Sequence, residues 1–157
     1  MLRNNNAPTH RLHVVPASYL LLKKDGKILL SRRANTGYKD GMYSLPAGHF
    51  DGSETAEEVV VREAKEEIGI TVKTEDLEFI HVLHRVADEG GYERIDFFFA
   101  CSKWQGEITN MEPHKCDDLS WFKPDELPDA VVPEVKQMLE KLNTSSYYSD
   151  LNFHSSN

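Results

Sequence analysis

Cysteine is nearly absent: Cys101 and Cys116 are the only two in 157 residues. That is too few for a disulfide framework in a domain of this length, and the pair lacks the C-x-x-C spacing of a zinc site. Both are expected to be free thiols in a reducing compartment. Long apolar runs are missing as well. No segment reaches the roughly 20 apolar residues that cross a bilayer, and the stretch from Met1 to Arg11 has no apolar leader core. A cytoplasmic protein with no membrane partner is the expectation. Basic charge is in deficit, with 26 Asp and Glu against 18 Lys and Arg and a formal net charge of −8. This balance repels a phosphate polymer and argues against duplex nucleic acid as a partner. A small phosphorylated substrate stays compatible, provided that some carboxylates hold cations that reverse the local field. There is no internal repeat, and the length suits a single core.

What is present is a regular alternation of strand-like and helix-like stretches. Residues 1–10 are polar and rich in Asn and are expected to form a flexible lead-in, with one domain over 11–142 and a flexible tail over 143–157. Ala17 to Leu22 and Lys27 to Arg32 are apolar runs around Asp25-Gly26, a pair that supplies the positive φ of a tight hairpin. A Gly-, Asn- and Asp-rich loop from Ala34 to Gly41 leads into a short strand near Tyr43 to Ala47. A helix is predicted from about Glu54 to Ile68, with Ser53 or Thr55 as N-cap, Glu58 completing a capping box and Gly69 as the stop. Glu78 to Val86 and Arg94 to Cys101 predict a second hairpin around Glu89-Gly90-Gly91. Leu119 to Phe122 predicts a short strand, with Trp121 and Phe122 in the core, and Pro124 to Leu127 a helical turn. Val135, Met138, Leu139 and Leu142 recur at helical spacing, which predicts a helix over Val132 to Leu142.

The chemistry concentrates between Gly48 and Ile70. Glu63, Glu66 and Glu67 occupy i, i+3 and i+4 of the predicted helix, so their side chains crowd one turn. Such like-charge pairs cost a few tenths of a kcal/mol each, and a compensating cation is the natural explanation. All-oxygen donors suit a hard ion such as Mg²⁺, or Mn²⁺, better than zinc. Val60, Val61, Ala64 and Ile68 form a neighbouring apolar stripe that can anchor the helix to a sheet. The glutamates then sit at the edge of the core, held rigidly enough for ions that clamp and polarise a diphosphate.

The pattern Gly48-x₅-Glu54-x₇-Arg62-Glu63-Ala64-Lys65-Glu66-Glu67-Ile68-Gly69-Ile70 resembles the Nudix box, G-x₅-E-x₇-R-E-U-x-E-E-x-G-U with U aliphatic. Every fixed position is met, and only Ala64 is small for its slot. At background frequencies of roughly 6–7% for each fixed residue, a chance match is on the order of 10⁻⁸ to 10⁻⁹ per window. The order of hairpin, box helix, hairpin, Trp-Phe strand and C-terminal helix is similar to the family fold, an α/β (α+β) arrangement of the α/β/α sandwich type with a mixed central sheet. The resemblance implies metal ligation by the Gly48 carbonyl and by Glu63, Glu66 and Glu67, with Glu66 and Glu67 the firmest. It implies that Arg62 orients a glutamate, that Glu54 is the structural glutamate at the helix entrance, and that Gly69 closes the box. A further ligand or base often comes from a loop outside the box, and Glu112 is the best candidate, with Asp117 and Asp118 behind it.

Outside the box the signals divide between function and packing. Arg33 or its neighbour Arg32 ends a strand where a guanidinium can reach a phosphate. Arg85 is a candidate for substrate contact, whereas His81 and His84 read more simply as satisfied or exposed histidines. Tyr38, Tyr43 and Phe50 could stack on a base, though aromatic residues in such loops more often pack. Glu134 lies where some relatives contact the base edge, set against an ordinary first-turn glutamate.

The resemblance implies a metal-dependent hydrolase that splits the diphosphate linkage of a nucleoside diphosphate joined to X, favoured as (d)NTP to (d)NMP plus pyrophosphate. The proline that marks ADP-ribose hydrolases is absent where Arg85 and Val86 stand. The NADH-hydrolase array and the full coenzyme A signature are missing too. Oligomers are common in the family, which leaves a homodimer open, but no residue names an interface. The competing reading from another class is a non-catalytic nucleotide sensor on the same fold, although such modules commonly lose box carboxylates. A third, an isoprenoid diphosphate isomerase, requires a reactive thiol, for which only Cys116 is placed.

Overall fold

Asp25 and Gly26 both adopt positive φ, 51° and 72°, as a two-residue hairpin turn requires. They join β1 (Val15–Lys24) to β2 (Lys27–Arg33). A computed structural model of the protein describes residues 11–88 and 90–153. The polar lead-in expected over residues 1–10 lies outside them. The hairpin strands pair only beside their turn, at Lys23 with Ile28 and Lys24 with Lys27. Beyond that they part: β1 runs parallel to β6 (Glu93–Cys101), while β2 pairs antiparallel with β7 (Cys116–Phe122) and with the short β3 (Tyr43–Ser44). The divergence opens a cleft between the two strand layers.

The remaining strands are β4 (Ala47–His49), antiparallel to β1, and β5 (Glu78–Val86), antiparallel to β6. The last, β8 (Tyr148–Leu151), lies parallel to β5 at the end of the order β3-β2-β1-β6-β5-β8. Residues 154–157 lie outside the described residues, and β8 replaces the flexible tail expected over 143–157 with a strand at Tyr148–Leu151. Its polar sequence carries no strand signal, yet β5 offers an unpaired edge, and Ser149 bonds the buried His81 at 2.7 Å. Pro124 to Leu127 forms a turn rather than the expected helical turn, held by the Glu126 N–H donating to the Lys123 carbonyl.

Two helices cover opposite faces of the mixed sheet, giving the α/β/α layering. Helix α1 (Ala56–Ile68) begins in the expected capping box of Thr55 and Glu58 and ends on Gly69 at φ 73°. Val60, Ala64 and Ile68 pack on Leu20, Leu22, Leu29 and Phe99. Val59, not the expected Val61, completes the buried side. Each fully buried Val or Ile contributes about 1.5–3 kcal/mol, far more than the like-charge repulsion among the glutamates beside them. Helix α2 (Pro133–Lys141) buries Val135 and Met138 against Tyr19, Leu21, Leu83 and Phe98 on the other face. Among the described residues no helix is long and apolar enough to cross a membrane.

Candidate active site

Strand β4 runs into the loop that precedes α1, so Gly48 comes to lie on that helix. A Cβ added at Gly48 would fall on the Glu63 carboxylate. Only glycine permits this approach of backbone to carboxylate. Arg62 completes the junction. Its Nε and Nη2 donate to Glu54 at 2.7 and 3.1 Å, its Nη1 to Glu63 at 2.6 Å, and its Nη2 to the His49 carbonyl at 3.0 Å. One guanidinium therefore ties the helix entrance, β4 and a glutamate together.

The three glutamates do not share one environment. Glu63 and Glu67, one turn apart, follow the buried Val59 on the side that meets β4 and β1. Glu67 accepts from the Ala47 N–H at 3.1 Å. Burial pushes its carboxyl well above the ordinary carboxylate range, and the neighbouring Glu63 and Glu112 charges push it further. Glu63 is raised chiefly by burial, partly offset by Arg62. Glu66 points outward, with 55% of its side chain exposed and Arg62 Nη1 at 3.5 Å. Among the described residues, no group of three His, Cys, Asp or Glu converges in a metal-holding arrangement.

The loop before β7 brings in the next carboxylate. The Met111 N–H donates to the Glu67 carbonyl at the end of α1, the Glu112 N–H donates to Asn110 Oδ1, and Asn110 Nδ2 donates to the Cys116 carbonyl. Glu112 is thereby fixed near Glu63 and Glu67. Asp117 pairs with Arg32 at 2.7 Å, and Asp118 accepts from Tyr43 and Ser120. Both therefore serve the β2–β7 layer rather than the carboxylate group.

Glu63, Glu67 and Glu112 line one end of a cavity of about 620 Å³, whose walls include Arg32, Arg33, Tyr38 and Lys115. The loop from Ala34 to Gly41 holds its shape because Asp40 accepts from the Thr36 and Gly37 N–H groups, and Arg33 Nε donates to the Tyr38 carbonyl. The rest of the lining is polar as well. Arg85 is 2% exposed, Arg94 8% and Glu134 4%; all three line the cavity, and Asp96 lies fully buried behind them. Arg85 Nε donates to Asp96 at 2.5 Å, and its Nη2 lies 3.5 Å from Glu134. Burial alone would lower the Arg85 pKa, but the Asp96 charge, then Tyr19 and Glu134, more than reverse this and hold it above its ordinary value.

Of the sequence candidates, Gly48, Glu63, Glu67, Glu112, Arg33, Arg85 and Glu134 meet at this one cavity. Arg94 and Asp96 were not singled out. Their only signal in sequence is charge at positions 94 and 96, flanking Ile95 in a strand that is apolar from Phe97 to Cys101. His81 is buried against Ser149 and Phe98, and His84 pairs with Glu93 at 2.6 Å, so both are satisfied away from the cavity. Phe50 packs on Phe97 and Tyr43 on Phe122. Cys116 lines the cavity, but burial raises its thiol pKa, the opposite of what a reactive thiolate needs.

A mixed sheet between two helices, with a capped acidic helix beside a polar cavity, defines a small α/β domain. The chain belongs to the NUDIX domain family, whose model matches residues 12–142. It is 39% identical over 79 residues to the ADP-ribose pyrophosphatase of Methanocaldococcus jannaschii, an alignment covering 49% of this chain and 46% of that one. It is 28% identical over 103 residues to the 8-oxo-dGTP diphosphatase of Proteus vulgaris, covering 65% and 86%. The crystal structure of a MutT NUDIX hydrolase from Burkholderia pseudomallei superposes with a TM-score of 0.76 at 26% identity, covering 83% of this chain and 98% of that one. The chain spans under half the length of the first curated relatives it matches.

Proposed function

We propose that this protein hydrolyses the diphosphate linkage of a nucleoside diphosphate joined to X, with a nucleoside triphosphate as the favoured substrate and Mg²⁺, or Mn²⁺, as the cofactor. The observation that carries this reading is that Glu63, Glu67 and Glu112 line the same cavity of about 620 Å³ as Arg33, Arg85 and Glu134. Fit to a divalent cation rests on the donor set: a buried Glu67 carboxyl raised first by burial and further by the Glu63 and Glu112 charges, beside a glycine backbone packed on Glu63. Such a group is relieved when a hard cation is bound. Glu63, Glu67, Glu112 and the Gly48 carbonyl would hold it, with Glu66 next in line on the outer side. Bound there, it would neutralise phosphate charge and polarise the phosphorus.

The chain's own residues do the rest. Arg62 holds Glu63 against β4, and the Ala47 N–H holds Glu67, so neither carboxylate must be ordered during the reaction. Arg33, Arg85 and Glu134 line the same cavity; in this reading Arg33 takes the phosphate chain, and Arg85 and Glu134 the nucleoside. Water adds its oxygen to phosphorus as a bridging P–O bond breaks, giving a nucleoside monophosphate and, when X is phosphate, pyrophosphate. The relatives carry names for different substrates, which fits an arrangement in which the cavity floor, not the acidic helix, sets the choice.

A panel of nucleoside triphosphates, oxidised nucleotides, dinucleotides and nucleotide sugars, incubated with Mg²⁺ and with products identified, tests the reading. Monophosphate plus pyrophosphate from at least one triphosphate is expected. Tight binding with no turnover across the panel would instead make the protein a nucleotide sensor. The Gly48 contact gives a sharper check: Gly48→Ala displaces the Glu63 carboxylate and is expected to cut kcat/KM on the order of 10²-fold, the cost of misplacing a catalytic group by about 1 Å. Steady-state kinetics beside a melting curve separate this from unfolding, and a rate within threefold of wild type would detach Glu63 from the reaction.

A further inference from the structure

A second cavity, of about 500 Å³, contains no residue of α1 and shares no lining residue with the first. The turn end of the β1–β2 hairpin, the start of β5 and the end of α2 with the segment behind it enclose this groove. Ile80, Leu127, Leu139 and Leu142 give it an apolar lining, each partly buried and packed on the core. Phe79 and Tyr147 complete that lining, with rings stacked at 6.5 Å and 43% and 66% exposed. Phe79 and Ile80 are neighbours in one strand, yet both line the groove. The register gives the reason: Phe79 pairs with Phe99 and His81 with Phe98, so Ile80 is the extra residue of a bulge, and a bulge re-aims the side chains beside it.

The rim carries charge of the sign that the whole chain lacks. Lys23, Lys27 and Lys141 line the groove against a single carboxylate, Glu78, in a chain of formal net charge −8. Lys39, Lys103, Lys115 and Lys123 are each paired with a carboxylate, whereas among the described residues none lies within salt-bridge distance of these three. The hydroxyl donors beside them are spent on backbone. Thr144 Oγ1 donates to the Lys141 carbonyl and Ser146 Oγ to the Tyr148 carbonyl, both at 2.7 Å. The ammonium groups are the charged donors left for a ligand.

Size and charge together choose the occupant. A groove of about 500 Å³ has the capacity of a site for one small molecule. Stacked, exposed rings take a flat apolar body, and lysines at the rim take an anionic head while their stems lie along the apolar surface. We infer that this groove binds a small aromatic anion, a planar apolar body bearing one carboxylate or sulfonate. Phe79 and Tyr147 lie against the body, and Lys23, Lys27 and Lys141 surround the head. The site is separate from the acidic cavity and does not depend on the hydrolase reading.

Anilinonaphthalene sulfonate and its uncharged counterpart phenylnaphthylamine, titrated into the intact protein and followed by fluorescence, separate head from body. The sulfonate should bind one-to-one with a dissociation constant of roughly 100 µM or tighter. Combining Lys27→Glu with Lys141→Glu should weaken it about tenfold or more, because each reversal replaces an attraction by a repulsion, and should leave the neutral amine within threefold. Neither lysine is buried, so the variant keeps the core intact. Lys73→Glu with Lys136→Glu makes the same change in net charge at exposed positions outside the groove and should leave both probes within threefold. Tyr147→Ala, at a side chain too exposed to support the fold, should weaken both probes about fivefold. Absence of saturable sulfonate binding would overturn the inference. So would an equal loss in the Lys73 and Lys136 control, or wild-type affinity for the sulfonate in either groove variant.

Discussion

Glu67→Gln is expected to abolish most Mg²⁺-dependent hydrolysis, lowering kcat on the order of 10³-fold, while the protein melts no lower than wild type. Several kcal/mol of charge stabilisation in the transition state are at stake when a ligand of the activating ion is lost. The fold has no comparable need of the charge. Burial and the charges of Glu63 and Glu112 already raise the Glu67 carboxyl well above its ordinary value, so its ionised form is an electrostatic cost in the metal-free protein. The amide oxygen of Gln can still accept from the Ala47 N–H, which Glu67 now bonds at 3.1 Å. Stability at pH 7 should therefore hold or rise as turnover collapses. Matched kinetics and thermal melts decide the matter: a lower melting temperature in step with the lost rate would make Glu67 a structural residue, and an undiminished rate would remove it from the reaction.

Arg85→Met should act in the opposite sense, on the fold first. Arg85 stands 2% exposed between Asp96 and Glu134, 2.5 and 3.5 Å away. Removing one member of a buried ionic group leaves the others charged and desolvated, a loss of about 3–5 kcal/mol. Urea unfolding at neutral pH should show it as a lower midpoint at unchanged slope. Adding Asp96→Asn, which removes the stranded charge, should recover part of the loss. A loss below about 1 kcal/mol would mean that solvent reaches the cluster and screens it. The register explains why the cluster exists: Arg85 pairs directly with Arg94 across β5 and β6, an unfavourable like-charge contact that Asp96 offsets by facing both.

These two variants separate the halves of the cavity. Apart from Glu112, which the loop before β7 brings in, the acidic group is built from one contiguous segment, Gly48 to Gly69, and its geometry follows from local rules. The capping box at Thr55, the stop at Gly69 and the arginine at Arg62 are consecutive features of one helix, so their spacing in sequence is their spacing in space. The direction of each glutamate is another matter. Helical periodicity places Glu63, Glu66 and Glu67 on one turn, but the docking of α1 through Val59, Val60, Ala64 and Ile68 turns Glu63 and Glu67 inward and Glu66 to solvent. Packing area, far larger than the repulsion among carboxylates, sets that rotation.

The acidic helix, its caps, the Asp25-Gly26 turn with its flanking strands and the family are legible along the chain, because each depends on residues within a few positions of one another. The rest comes from long-range packing. The pairing of β1 with β6, the capture of Tyr148–Leu151 by the β5 edge and the meeting of Arg85, Arg94, Asp96 and Glu134 join distant segments. Such contacts are chosen by whichever arrangement buries the most apolar surface while leaving the fewest charges alone. That choice belongs to the whole chain, and no local pattern announces it.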